Sequence, residues 1–302
     1  MFHKVIAATG AMLLSSGMAF ADPMTIEHSQ GSTDLPAAPS KVLVLDINAL
    51  DIADAMGAEP AGVVNGNLPD YLQKYASDDY LKVGTLFEPD YEAVAASGAD
   101  LMIVGTRSRT SYPQMSQILP TVDLSVGDDL FASVDDNIAR VGQIFGKPQR
   151  AAEMTAEIDG KLAHLKQVAP DAATALILVT NGGKLGAYGP ASRVGWIHKE
   201  LGFAPLEENI DDRFHGGDVI SFEYILEKNP DWIFVIDRDA GVGDAGAGAQ
   251  SMLDNALMAQ TKAVQQGQVV YLDAHAAYVA YAGYTALNRL LDQLTTALAA
   301  KS

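Results

Sequence analysis

The sequence predicts an α/β fold of two lobes, each built on a mainly parallel sheet, joined by one long helix. Three observations predict it. Short apolar runs rich in β-branched residues alternate with helical segments, the grammar of parallel sheets with helical crossovers. Pro148 to Val168 carries Ala151, Met154, Ile158, Leu162 and Leu165 at three- and four-residue steps, the stripe of an amphipathic helix. A segment before that helix then recurs after it. Tyr91–Val104 (YEAVAASGADLMIV) aligns without gaps on Phe222–Val235 (FEYILEKNPDWIFV). The same interval separates Glu92 from Glu223, Asp100 from Asp231 and Arg107 from Arg238.

The chain has 302 residues, 48% hydrophobic and 19% charged, which fits a globular protein. His3 and Lys4 precede the apolar run Val5–Leu14, and Ala19-Phe20-Ala21 supplies small residues at the cleavage positions. Residues 1–21 are expected to be a secretory signal peptide, since the run is too short to span a bilayer. Export without an anchor points to a periplasm. There is no cysteine, which excludes disulfides, thiolate metal sites, cysteine nucleophiles and a lipid-anchor cysteine. The formal net charge is -18, and removing residues 1–21 takes away one Lys and no acid. So acidic a chain is not a partner for nucleic acid or anionic membranes.

Asp22–Ser40 is polar and reads as an extended lead-in. Lys41–Asp46 (KVLVLD) reads as a buried strand, Asn48–Met56 as a helix and Gly62–Val64 as a strand. Asn65–Asp79 reads as a surface segment facing a cleft. Glu92–Ser97 is expected to be helical, Leu101–Val104 a strand, Ser111–Leu119 a helix, Pro120–Leu124 a strand and Val134–Phe145 a helix. Pro148 suits a first helical position, and Pro170 stops the long helix. Beyond it, Ala175–Thr180 is a strand, Gly182–Gly189 a Gly-rich turn, Arg193–Leu201 a helix and Glu223–Lys228 a helix. Trp232–Ile236 is a strand, Asp239–Ala249 a Gly/Ala-rich loop, Asn255–Val264 a helix, Gln268–Leu272 a strand, Asp273–Tyr284 a Tyr-rich loop and Tyr284–Ala299 a final helix. The expected organisation is a signal at 1–21, an N-terminal lobe at 22–146, a backbone helix at 147–169 and a C-terminal lobe at 170–302.

In open parallel sheets ligands bind beyond the carboxyl ends of the strands. Arg107 and Arg238 fall there in repeat-related places, and Arg193 follows the Gly-rich turn. Guanidinium groups recognise clustered anionic oxygens through charge-assisted hydrogen bonds. Of six histidines, His215 stands in the polar loop Asp211–Gly217 and is a candidate metal ligand, while His275 lies in the Tyr-rich loop with Tyr278, Tyr281 and Tyr284. A phenolate is a hard donor suited to ferric iron. Glu92 and Glu223 start matched helices, where they favour the helix dipole and could also form a two-point docking surface. No G-x-S-x-G, H-E-x-x-H or Walker loop occurs in a strand-to-helix context, so no enzyme class is indicated.

With the helix, the repeat and the arginines in view, the chain resembles the helical-backbone (class III) periplasmic binding proteins of ABC importers. Within them it is similar to the ferric catecholate-siderophore binders of the CeuE/FatB-like type. Its most specific stretches are Ile220–Asp239 and Leu253–Asp273. The resemblance implies two Rossmann-like lobes, a shallow cleft and a ferric siderophore held by Arg107, Arg193 and Arg238. It implies His215 and Tyr278 as protein ligands to the siderophore's iron, with His275 and Tyr281 as neighbouring alternatives. Glu92 and Glu223 match glutamates that dock on a permease dimer. No intrinsic cofactor is expected, and the protein is expected to be a monomer. A haem, cobalamin or hydroxamate carrier of the same fold is the alternative, and an exported metal-dependent enzyme is the rival from another class.

Overall fold

A computed structural model describes residues 23–207, 209–210, 216–244, 246 and 248–301. The signal segment and His215 lie outside the described residues.

The described residues begin with a hairpin, β1 (Met24–His28) against β2 (Gly31–Leu35). The sequence reading made this an unpaired lead-in. GSTDL is polar, and only Ile26, His28 and Leu35 turn inward. The first lobe follows with β3 (Val42–Val44), α1 (Ile47–Ala55), β4 (Gly62–Val63), β5 (Leu81–Lys82), α2 (Tyr91–Ala96), β6 (Leu101–Val104), α3 (Tyr112–Met115), β7 (Thr121–Asp123) and α4 (Leu130–Ile144). Its five strands are parallel in the order β5-β4-β3-β6-β7. Connections run outward in opposite directions from β3 and β6, which makes the gap between those two strands the topological switch point.

Next comes α5 (Pro148–Val168), with the bounds the apolar stripe predicts. The residues it buries are Ala151, Met154, Ile158, Leu162 and Leu165, the same five. Twenty-one residues at 1.5 Å span about 32 Å. Gly146, at φ +66, closes α4, and Gly142 lets the two helices touch: a Cβ there would stand 2.6 Å from that of Ala151.

The second lobe contains β8 (Thr174–Asn181), β9 (Lys184–Tyr188), α6 (Trp196–Leu201), β10 (Ala204–Pro205), β11 (Asp218–Ile220), α7 (Phe222–Lys228), β12 (Trp232–Asp237), α8 (Arg238–Val242), α9 (Ala249–Leu253), α10 (Lys262–Gln265), β13 (Val269–Tyr271), α11 (Ala274–Tyr278) and α12 (Tyr284–Ala299). Its sheet runs β11-β9-β8-β12-β13, with β10 beside the start of β8. The pairs β8–β12 and β12–β13 are parallel, whereas β9 is antiparallel to both neighbours. Glycines made the Lys184–Tyr188 segment read as a turn. It is a hairpin arm in which Gly186 is packed so closely that a Cβ would meet the Gly216 carbonyl oxygen at 1.8 Å.

The repeat has a physical meaning. Asp100 precedes β6 and accepts from the backbone N–H groups of Ser40 and Lys41, both at 2.8 Å, pinning the start of β3. Asp231 precedes β12 and accepts from Thr174 N–H at 2.8 Å, pinning the start of β8. Asp90 and Ser221 cap the matched helices α2 and α7. One core runs through the first lobe, the packed helices and one face of the second sheet, and a smaller one lies on the other face. The last helix packs on both α5 and α1. Asp51, fully buried on α1, accepts from Thr285 N–H at 2.7 Å and Ala286 N–H at 3.0 Å at the start of α12.

Candidate functional site: a three-arginine cleft

Two turns at the switch point of the first lobe fix Arg107. Gly105 backs onto Asp46, where a Cβ would stand 2.4 Å from the carboxylate carbon. Gly105 N–H donates to Ser108 Oγ at 3.0 Å, and that hydroxyl donates to the Leu45 carbonyl at 2.7 Å. The loop is thereby tied to the end of β3, and Arg107 projects from it. In the second lobe Arg238 directly follows β12 as the first residue of α8. Asp237 caps that helix by accepting from Ala240 N–H at 3.1 Å. The sequence reading placed Gly241 in a loose loop, but it is helical, and its lack of a Cβ lets α8 reach within contact of the Ala274 carbonyl on α11. Arg193 sits on the turn before α6, where a Cβ on Gly195 would collide with the Pro190 carbonyl at 2.1 Å.

These three arginines converge on one residue. Arg107 Nη2 donates to the Tyr278 carbonyl oxygen at 2.7 Å, and Arg193 Nη1 donates to the same oxygen at 2.8 Å. The guanidinium carbons of Arg193, Arg107 and Arg238 lie 4.4, 5.3 and 5.8 Å from the centroid of the Tyr278 ring, within cation–π range. Tyr278 is the last residue of helix α11 and is 2% exposed. Ala274–Tyr278 is therefore not part of a long loop. Asp273 caps it, accepting from Ala276 N–H, and a helix of five residues is too short to show a periodic stripe.

The electrostatics leave a demand for negative charge. Burial, and then the positive charge of Arg193, lower the pKa of Arg107. Arg238 is held charged: burial opposes its charge, but Tyr278 and Asp239 more than offset this and raise its pKa. It pairs with Asp239 at 3.2 Å and Asp244 at 3.5 Å. Arg107 and Arg193 make no ion pair with any described residue, and they share the Tyr278 carbonyl as acceptor. Asp46 lies beneath, fully buried, its carboxyl pushed up to about 6 by burial despite the Ala49 N–H and Arg107.

Beside Arg107 and Arg193 opens a cavity of ≈ 450 Å³, lined from the first lobe by Thr106, Arg107, Arg109 and Phe87 and from the second by Tyr188, Arg193 and Tyr281; Arg238 and Tyr278 stand behind this wall and do not line it. Its size is that of a small-molecule site. Arg109, Tyr188 and Phe87 were not singled out in the sequence. Arg109 stands two residues beyond Arg107 in the same loop, a placement the sequence did offer. Tyr188 was hidden by the misread strand. Phe87, 69% exposed, is a large apolar side chain at the lip of a polar cleft.

Among the other candidates, His275 Nε2 lies 3.1 Å from the Asn67 carbonyl oxygen, and burial lowers its pKa. It is engaged in a contact between the lobes. Glu92 and Glu223 are both exposed, each in the first turn of its helix. Since α2 and α7 each descend from the carboxyl ends of the strands, both carboxylates begin on the cleft side of their lobes. No group of three His, Asp or Glu side chains able to hold a metal occurs among the described residues.

Two α/β lobes joined by the long helix α5 thus enclose a polar, arginine-bearing cleft. Residues 42–276 match the family described as Periplasmic binding protein, and the chain belongs to it. It is 35% identical to the petrobactin-binding protein YclQ of Bacillus subtilis over 92% of this chain and 89% of that one. To the ferric-anguibactin-binding protein FatB of Vibrio anguillarum it is 31% identical over 90% and 86%. The crystal structure of the periplasmic catecholate-siderophore binding protein VctP from Vibrio cholerae superposes with a TM-score of 0.85 at 32% identity, covering 91% of this chain and 100% of that one.

Proposed function

We propose that the protein captures a ferric siderophore of the catecholate class in the cleft and delivers it to an inner-membrane ABC permease for iron uptake. The observation that carries this reading is the convergence of Arg107, Arg193 and Arg238 on Tyr278. A catecholate–iron complex is anionic and presents clustered oxygens to a part-desolvated site. The guanidiniums offset that charge through charge-assisted hydrogen bonds. The names of the relatives, which bind petrobactin, ferric anguibactin and a catecholate siderophore, support the same class.

The finer assignments belong to this proposal. His215 and Tyr278 bind the iron directly when a tetradentate catecholate leaves two positions open. Glu92 and Glu223 dock on the permease dimer. The mature protein works as a monomer in the periplasm after loss of residues 1–21, with lobes at 22–146 and 170–302 about the helix at 147–169. Because α5 and α12 pack along each other, closure about the ligand is a small hinge motion. The function is capture, not turnover.

The test is a fluorescence titration of the mature protein with ferric tetradentate and hexadentate catecholates, haem, cobalamin and a ferric hydroxamate. Saturable tight binding of a catecholate is the expected result. Saturation by haem, cobalamin or hydroxamate alone would keep the fold and overturn the ligand class.

A further inference from the structure

Among the described residues four large apolar side chains are exposed: Phe87, Ile118, Val219 and Val264. Apolar side chains scattered singly over a surface are ordinary. Phe87 differs because it alone of the four lines the cavity between the lobes, and it is 69% exposed. Its backbone is firmly held. Thr85 N–H donates to the Glu88 carbonyl at 2.9 Å, Glu88 N–H donates to Thr85 Oγ1 at 3.0 Å, and Asp90 N–H donates to the Val83 carbonyl at 2.9 Å. Gly84, at φ +100, lets this turn close, since a Cβ there would stand 2.4 Å from the Asp90 nitrogen. Within the turn Leu86 packs on the core, and Phe87 is left in the open.

Arg109 reaches the same cavity from a different loop. It begins a single 3-10 turn, Arg109–Ser111. Buried Ser111 donates to the Ser108 carbonyl from its N–H at 2.9 Å and from its hydroxyl at 2.7 Å. Ser108, also buried, is tied in turn to the Leu45 carbonyl. The backbone is thus fixed, while the Arg109 side chain is exposed and makes no ion pair with any described residue. Among the charged groups that line the cavity, Arg107, Arg109 and Arg193 stand against a single acid, Asp128. Arg238, by contrast, has Asp239 and Asp244 as partners. An unpaired guanidinium on a cavity wall suits an anionic oxygen.

We propose that Phe87 and Arg109 form an outer subsite of the cleft, in which the Phe87 ring stacks on an aromatic ring of the ligand and Arg109 pairs with an anionic oxygen beside it. The inference rests on the cleft holding a ferric catecholate and adds what selects an aromatic chelate among anionic ones. In such a complex the oxygens turn inward to the iron and the rings turn outward. A complex seated with its charge on Arg107 and Arg193 presents a ring to the mouth, where Phe87 stands. An anionic chelate without rings gains the arginines but not Phe87. Phe87 is therefore a specificity determinant, and Arg109 strengthens the hold on the charge.

The test titrates the mature protein and four variants with a ferric bis-catecholate at several salt concentrations, and follows the diamagnetic gallium(III) complex by NMR. Phe87→Leu, apolar but without a ring, should weaken binding about threefold to tenfold, whereas Phe87→Tyr keeps the ring and most of the affinity. Arg109→Gln should weaken binding by about the same factor and flatten its dependence on salt, with Arg109→Lys recovering part of the loss. Nuclear Overhauser contacts between the Phe87 ring and the catechol protons of the gallium complex are expected. Equal affinities for Phe87→Leu and Phe87→Tyr overturn the subsite, as does an Arg109→Gln variant with native affinity and native salt dependence. Phe87→Leu with native affinity but reduced uptake by cells assigns Phe87 to a partner-facing surface and equally overturns it. If the native protein binds no catecholate, the catecholate reading falls and the subsite falls with it.

Discussion

Arg107 on the first lobe donates to the carbonyl oxygen of Tyr278 on the second at 2.7 Å, across 171 residues of chain. A side chain from the switch point of one sheet thus holds the end of a helix in the other lobe. Arg193 shares the acceptor, so the cleft floor is a preorganised cluster whose cations are positioned before any ligand arrives. Such a floor suits capture, because little ordering remains to be done on binding.

Tyr278 combines a carbonyl that positions Arg107 and Arg193, a ring on which the three guanidiniums lie, and a hydroxyl. Tyr278→Phe removes only the hydroxyl. If that oxygen binds iron, the variant should lose affinity for a ferric tetradentate catecholate and shift its charge-transfer band, and His215→Ala should do the same. A hexadentate complex, which satisfies its own iron, should bind as before. Identical spectra and affinities for the tetradentate complex in both variants would remove the protein–iron bonds and leave the arginine floor.

Glu92 and Glu223 lie on exposed first turns and contribute nothing to the cleft lining. The variant Glu92→Ala with Glu223→Ala should therefore bind ligand normally while uptake of radiolabelled ferric catecholate by the host cells falls. Undiminished uptake would dismiss their docking role.

Asp46 carries a pH signature. Burial raises its folded-state pKa to about 6 from 3.8, so the folded chain holds a proton that the unfolded chain releases earlier. Stability therefore declines as pH rises from about 4 to about 6, and the penalty is complete above that window. Asp46→Asn retains an oxygen to accept from Ala49 N–H but cannot ionise. It should gain about 1–3 kcal/mol relative to the native chain between about pH 4 and pH 7, read from urea midpoints. A stability difference between the two proteins that does not change with pH would show that Asp46 is not the titrating group.

Much of this architecture was legible because it repeats or is periodic. The stripe from Ala151 to Leu165 defined α5 to the residue, since a helix packed along its whole length must bury one face. Arg107 and Arg238 were legible through the repeat, which also carries the strand-pinning pair Asp100 and Asp231. Features lacking either kind of order were not. The β1–β2 hairpin is polar because most of it faces solvent, β9 carries Gly186 where Gly216 presses on it, and α11 is too short for a stripe. The contact of Phe131 with Trp196 could not be read at all, because it forms only where the lobes meet, its two rings placed by separate elements.

The most direct test of the central claim is the affinity of the ferric catecholate for Arg107→Ala, Arg193→Ala and Arg238→Ala beside the native protein, with thermal midpoints as the control for folding. Loss of one charge-assisted contact should weaken binding roughly tenfold to a hundredfold in each variant. Native-like affinity in all three, with the fold intact, would contradict capture by the arginine cleft.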